Sequence, residues 1–143
     1  MFKRILLCSD GSDRSITAAE VAAEMTKIHQ AHLTLLHVCQ VPSIHSPFPG
    51  APSLGHTLDT YVQDMHHAVI SRTLPALEQN GARCEVMEEV GNPSDIIARI
   101  ANQQGFDLVV LGSRGVSTEK AAALGSVCHS VLHNAACPVL VIR

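Results

Sequence analysis

The chain has no tryptophan, one tyrosine and three phenylalanines among its 143 residues. An interior without large rings has to be filled by Val, Ile, Leu and Ala. That filling suits a parallel sheet covered by helices better than an aromatic-rich β-sandwich. Basic residues are also few: 10 Lys and Arg against 13 acids leave a formal net charge of −3. With no cluster of cations, nucleic acid is not an expected partner. No stretch approaches the ~18 uninterrupted apolar residues of a membrane span, so no membrane partner is expected either. The start, "MFKRILLCSDGSD", superficially resembles a secretory leader, but its apolar run is short and Asp10 closes it, so a cytoplasmic location is expected. The five cysteines (8, 39, 84, 128 and 137) are odd in number and contain no CxxC. We read them as reduced thiols rather than a disulfide framework.

What is present is an alternation. "KRILLCSD" reads as a strand over about 3–9, "SITAAEVAAEMTKIHQ" as a helix with a regular apolar stripe, and "AHLTLLHVCQV" as a second strand. A long irregular loop, rich in Pro and Gly, is expected over about 41–58. A helix follows over about 57–80, with a kink or break expected at Pro75. "ARCEVMEEVG" alternates as a half-exposed strand. "NPSDIIARIANQQG" carries Asn92 as N-cap, Pro93 in the first turn and Gly105 as stop, the signals of a helix. "FDLVVLG" is a fourth strand, about 119–135 a fourth helix, and "CPVLVIR" a fifth strand. Alternation of this kind predicts one three-layer α/β domain over 1–143, a five-stranded parallel sheet with helices on both faces.

In such sheets ligands bind beyond the carboxyl ends of the strands, where strand order reverses. The first strand ends in "CSDGS" and the fourth in "LGSRG". Placed side by side, they set Asp10 and Gly112 on one crevice. Glycines at 112, 115 and 125 leave backbone uncovered and can adopt positive φ, although junction glycines also serve ordinary turns. Gly125 and Ser126 fall near the first turn of the fourth helix, where free amides and the positive helix end suit phosphate. Asp10, acceptor-only when ionised, suits a hydroxyl or an exocyclic amine. The residues therefore point to a nucleotide, held without the Walker A or GxGxxG patterns, both of which are missing.

Other chemistry is weaker in the residues. A phosphoacceptor role for Asp10 would need several clustered acids for magnesium, and "CSDGSD" supplies only Asp10 and Asp13. "GSRG" is not a GxSxG nucleophile elbow. Arg114 and Lys120 could neutralise phosphate, but read first as solvated loop charges. His129 and His133, four apart on a helix, lack a third metal ligand nearby and read as surface or interface residues. His66 and His67 also read as surface residues.

The segments "ILLCSDGS", "LTLLHV", "EVGNPSDIIARIANQQGFDLVVLGSRG" and "LGSVCHSVLHNAACPVLVIR" together resemble the universal stress protein family. The most specific element is Gly, two residues, Gly, nine residues, then Gly and Ser, here Gly112, Gly115, Gly125 and Ser126. The resemblance implies the ATP-binding branch and a Rossmann-like fold of the adenine nucleotide alpha hydrolase type, with strand order 3-2-1-4-5. It implies that Asp10 meets the nucleoside and that the backbone of Val38 meets the adenine edge. Leu111 and Gly112 would pack on the nucleoside, with Cys8 beside them. Gly115, Gly125, Ser126 and Val127 would hold ribose and phosphates. Arg114 and Cys128 lie on the phosphate side, where Cys128 replaces a Ser or Thr and offers only a weak donor. Cys8 and Ser9 stand where the family more often has small apolar residues. ATP (or AMP or ADP) with Mg²⁺ is the implied cofactor, in a stress-response switch or binding module that hydrolyses ATP slowly at most and is no true enzyme. The alternative is a structural or chaperone-like dimer with little nucleotide bound. A homodimer, or a higher homo-oligomer, is expected through the last strand at Val139, Leu140 and Val141.

Overall fold

Ile5, Leu6, Leu7 and Cys8 are all buried, so both faces of the first strand are covered. That strand, β1 (Arg4–Cys8), is the centre of a five-stranded sheet in the computed structural model, which describes residues 1–41, 54–114 and 124–143. Along the chain follow α1 (Asp13–His29), β2 (His32–Cys39), α2 (Leu54–Gln79), β3 (Cys84–Val90), α3 (Pro93–Gln103), β4 (Leu108–Gly112), α4 (Ser126–Asn134) and β5 (Val139–Ile142). The strands lie in the order β3-β2-β1-β4-β5 and every pairing is parallel, as expected.

Alternation along the strands divides the core. Ile5, Leu7, Leu35 and Val110 pack against the alanine stripe of α1 (Ala18, Ala19, Ala22, Ala23) and against Ile70 and Leu77 of α2. On the other face Leu6, Leu36, Val109 and Leu111 meet Ile96, Ile97 and Ile100 of α3 and Val131 of α4. Each such aliphatic side chain contributes roughly 1.5–3 kcal/mol on burial. At the amino ends, the carboxylate of Asp107 accepts from the amides of Lys3 (2.8 Å) and Arg4 (3.0 Å), tying the start of β4 to β1. Asn92 caps α3 by accepting from the Ser94 amide at 2.9 Å, with Pro93 in the first turn.

Several boundaries differ from the sequence expectations. α2 begins at Leu54, inside the stretch read as loop; the remainder of that stretch, 42–53, lies outside the described residues. The helix runs unbroken through Pro75 rather than breaking there. Pro75 and Ser71, whose carbonyl loses its partner, both lie on the exposed face, where water can satisfy the carbonyl, while Ala76 and Leu77 anchor the turn in the core. α4 begins at Ser126 and not near 119: Leu124 and Gly125 are non-helical, and 115–123 lie outside the described residues. Phe106 and Asp107 precede β4 instead of belonging to it.

Gly112 has a packing reason that its place in a loop pattern did not reveal. A Cβ there would lie 3.0 Å from Cβ of Arg14 and 3.3 Å from the amide nitrogen of Ser15, so the first turn of α1 rests directly on β4. Gly112→Ala should push the helix outward and destabilise the protein by about 1–3 kcal/mol. Urea unfolding checks this through a lowered midpoint; an unchanged midpoint would show that the contact yields freely.

Candidate functional site

The chain leaves β1 toward β2 on one side and leaves β4 toward β5 on the other, so a crevice opens between them at the carboxyl ends. A cleft of about 280 Å³ occupies it. Cys8, Asp10, Val38, Leu111, Gly112, Arg114, Gly125, Ser126, Val127 and Cys128 all line this one cleft. Gly115 and Lys120 lie outside the described residues.

The first wall is the turn after β1. Ser12 caps α1, accepting from the Ser15 amide at 3.3 Å, and Oδ1 of Asp10 accepts from the Ser12 amide at 3.0 Å. Gly11 takes a φ of 80°, the left-handed conformation that lets the turn reverse. Beneath it the buried Ser9 hydroxyl donates to Ser15 Oγ (3.1 Å), lies 2.7 Å from Thr73 Oγ1 and accepts from the Gly11 amide (3.2 Å). Ser9, which departs from the usual small apolar residue, thus pins the Asp10 turn to α1 and α2. Asp10 itself stays exposed at the mouth.

The opposite wall is the approach to α4. Positive φ is not what Gly125 supplies: as N-cap it has φ −66° and ψ 159°, and its amide is occupied, donating to the Ser113 carbonyl at 2.6 Å. The open groups are the next three. No side chain caps α4, and the amides of Ser126, Val127 and Cys128 donate to nothing among the described residues. They leave the positive end of a nine-residue helix facing the cleft. Arg114 is buried to 8% exposure and lines the same cleft, which corrects its reading as a solvated loop charge. The site is therefore polarised, with a carboxylate on one wall and open amides on the other, and Arg114 in the lining.

Three thiols, Cys8, Cys39 and Cys128, share the lining, and burial pushes each upward from its usual range, so they stay protonated at neutral pH. All five cysteines are free. His129 and His133 are exposed, as read from the sequence.

Sequence reasoning missed a histidine pair. His66, read as a surface residue, is 5% exposed, and its Nδ1 lies 2.6 Å from Nδ1 of the cleft-lining His37. The signal was available, because His66 falls on the helical stripe of Val69, Ile70, Thr73 and Leu77 that α2 buries. Burial first, and then the neighbouring His66, lower the His37 pKa to about 4, against the opposing pull of Asp10.

A model of the Universal stress protein family matches residues 1–143, the whole chain. The chain belongs to the universal stress protein family. Universal stress protein YxiE of Bacillus subtilis (strain 168) is 31% identical over 150 residues that cover all of both chains. The solved structure of universal stress protein UspA from Lactobacillus plantarum superposes with a TM-score of 0.82 at 30% identity, over 99% of this chain and 98% of that one. A universal stress protein solved in complex with cAMP shares the fold at a TM-score of 0.74, with 23% identity over 99% and 97% of the two chains.

The depressed His37 pKa links to stability. As pH falls, the unfolded chain takes up this proton near 6.5 and the folded chain only near 4. Stability from the neutral ring is thus complete above about pH 6.5 and lost between there and about pH 4. The urea midpoint should drop from pH 7 to pH 5, and His37→Phe should drop less over the same interval. Equal drops would show that His37 does not carry the effect.

Proposed function

We propose that this universal stress protein binds an adenine nucleotide in the cleft and acts as a nucleotide-dependent switch or binding module in stress response. The observation that carries the reading is the polarity of the cleft. A ligand with an anionic tail and a hydroxyl-bearing head matches uncapped amides on one wall and Asp10 on the other, with Arg114 in the lining as a further cation. Val38 and Leu111, packed into the core on the α3–α4 side, supply apolar surface for a base. The volume, about 280 Å³, lies just below the range for small-molecule sites, roughly 300–1,000 Å³, and limits the ligand to a small one such as a single nucleotide. The family membership and the cAMP complex of a protein with the same fold support the class of ligand.

In its finer form the reading takes ATP, ADP or AMP as the ligand, with Mg²⁺ carried on the phosphates. Turnover is at most slow, since the amides and the guanidinium bind an anion and the protonated thiols are neutral, so none of them activates water. The location is cytoplasmic; no helix among the described residues is long and apolar enough to cross a membrane. A two-fold dimer forms through the free side of β5, whose four residues are each only partly buried at the edge of the sheet.

Equilibrium dialysis with labelled ATP tests the binding. Gly125→Val places a branched side chain beside the open amides and should weaken binding by at least ~10-fold, on the order of one lost charge-assisted hydrogen bond. Equal binding by both proteins would contradict the site, and binding by neither would leave a structural role. Sedimentation equilibrium should give twice the mass of the chain; a monomer at micromolar concentration would contradict the β5 interface.

A further inference from the structure

His37 immediately precedes Val38 on β2 and is 4% exposed, yet it lines the cleft. One ring nitrogen is committed. Nδ1 lies 2.6 Å from Nδ1 of His66, with the rings edge to face at 88°. A hydrogen bond between two such nitrogens uses one proton, so one ring donates and the other accepts. The second nitrogen of His37, Nε2, has no hydrogen-bond partner among the described residues. It is not sealed in the core either, because among the described residues no enclosed side-chain nitrogen or oxygen goes unpartnered. The cleft that His37 lines is the open surface beside it.

We propose that His37 Nε2 hydrogen-bonds a sugar hydroxyl of the nucleotide, and that His66 is the residue that positions it. The inference rests on the nucleotide-binding reading above and adds the group that reads the sugar. Neutrality selects the hydroxyl over a phosphate: burial and the His66 neighbour keep the ring uncharged near pH 7, so it offers an anion no countercharge. Tautomer chemistry selects it over the base. Whichever ring of the pair donates, Nε2 is left either as an N–H donor or as a lone-pair acceptor, and a hydroxyl answers both. The edge of a base presents fixed donors and acceptors and would require one tautomer.

The surrounding charges agree with this placement. Asp10, beyond β1, is near enough to act on His37, and its carboxylate can only accept, so a hydroxyl can donate to one and meet the other. Glu88 stands opposite His37 in the β2–β3 register and is exposed. Arg114 also lines the cleft. His66 comes from α2, and its contact fixes the ring plane of His37.

Calorimetric titration with AMP, 2′-deoxy-AMP and 3′-deoxy-AMP over about pH 5–7.5 tests this. The unmodified protein should favour AMP over one deoxy analogue by roughly tenfold, nearly independent of pH in this range. His37→Phe keeps a ring and removes both nitrogens; it should bind AMP about tenfold more weakly and lose the preference. His66→Phe removes the partner that fixes the His37 ring plane while burial, the larger cause, still holds the ring neutral, so the preference should shrink while binding of the disfavoured analogue stays unchanged. A preference that persists in His37→Phe, or is missing from the unmodified protein, overturns the proposal while leaving nucleotide binding intact. Failure to bind any adenine nucleotide overturns both readings. Should His37→Phe not fold, the ¹⁵N resonance of His37 Nε2 in the unmodified protein decides. It should move on saturation with AMP and not with the disfavoured analogue, and an unmoved resonance overturns the proposal.

Discussion

The first turn of α4 opens with the amides of Ser126, Val127 and Cys128, and no side chain caps them. A helix end of this kind carries a concentrated positive potential that folding alone leaves uncompensated. The position of that end is set by other parts of the chain. The Gly125 amide is bonded to the Ser113 carbonyl, and the Ser113 amide to the Ile142 carbonyl of β5, so the helix start is tied to the edge of the sheet. Val131 and Cys128 then anchor the helix body against the α3 side of the core. The amides face the cleft with their direction set by these ties to the sheet.

The opposite wall is held as firmly and with opposite chemistry. Ser9, Ser15 and Thr73 form a buried hydroxyl cluster that locks the turn presenting Asp10. Each member is satisfied, which is the condition under which a buried polar cluster rigidifies rather than destabilises. The His37–His66 pair extends the same layer of polar contacts between β2 and α2. His37, held neutral by burial, weakens the fold in acid, and an apolar side chain there would not. Their presence beside the cleft is accounted for by a role toward a ligand.

How much of this could be read beforehand depended on the kind of signal. The sheet was legible because Ile5–Leu7, Leu33–Leu36 and Leu108–Leu111 are short, largely apolar runs with polar residues or Gly close by, and their parallel order follows from the alternation with helices. The residues that meet at the cleft were legible from the strand ends at Asp10 and Gly112 and from the glycine spacing. The start of α2 was hidden, since its first turn carries no acid and follows a Pro-rich stretch. The α4 boundary was misplaced because "EKAAAL" is made of good helix formers, whereas Leu124 is non-helical and Gly125 is extended before the helix begins. Gly112 was read for a ligand when its nearest constraint is α1. Arg114 and His66 were read as solvated because single charges and histidines usually are; only tertiary packing buries them.

The central claim is that the uncapped amides of α4 receive the anionic part of an adenine nucleotide. Titrating ¹⁵N-labelled protein with AMP and following the backbone amides tests it most directly. The account predicts saturable downfield shifts concentrated at Ser126, Val127 and Cys128, with smaller changes at Asp10 and Val38. Resonances at 126–128 that stay in place, while the nucleotide either fails to bind or perturbs another surface, would contradict it.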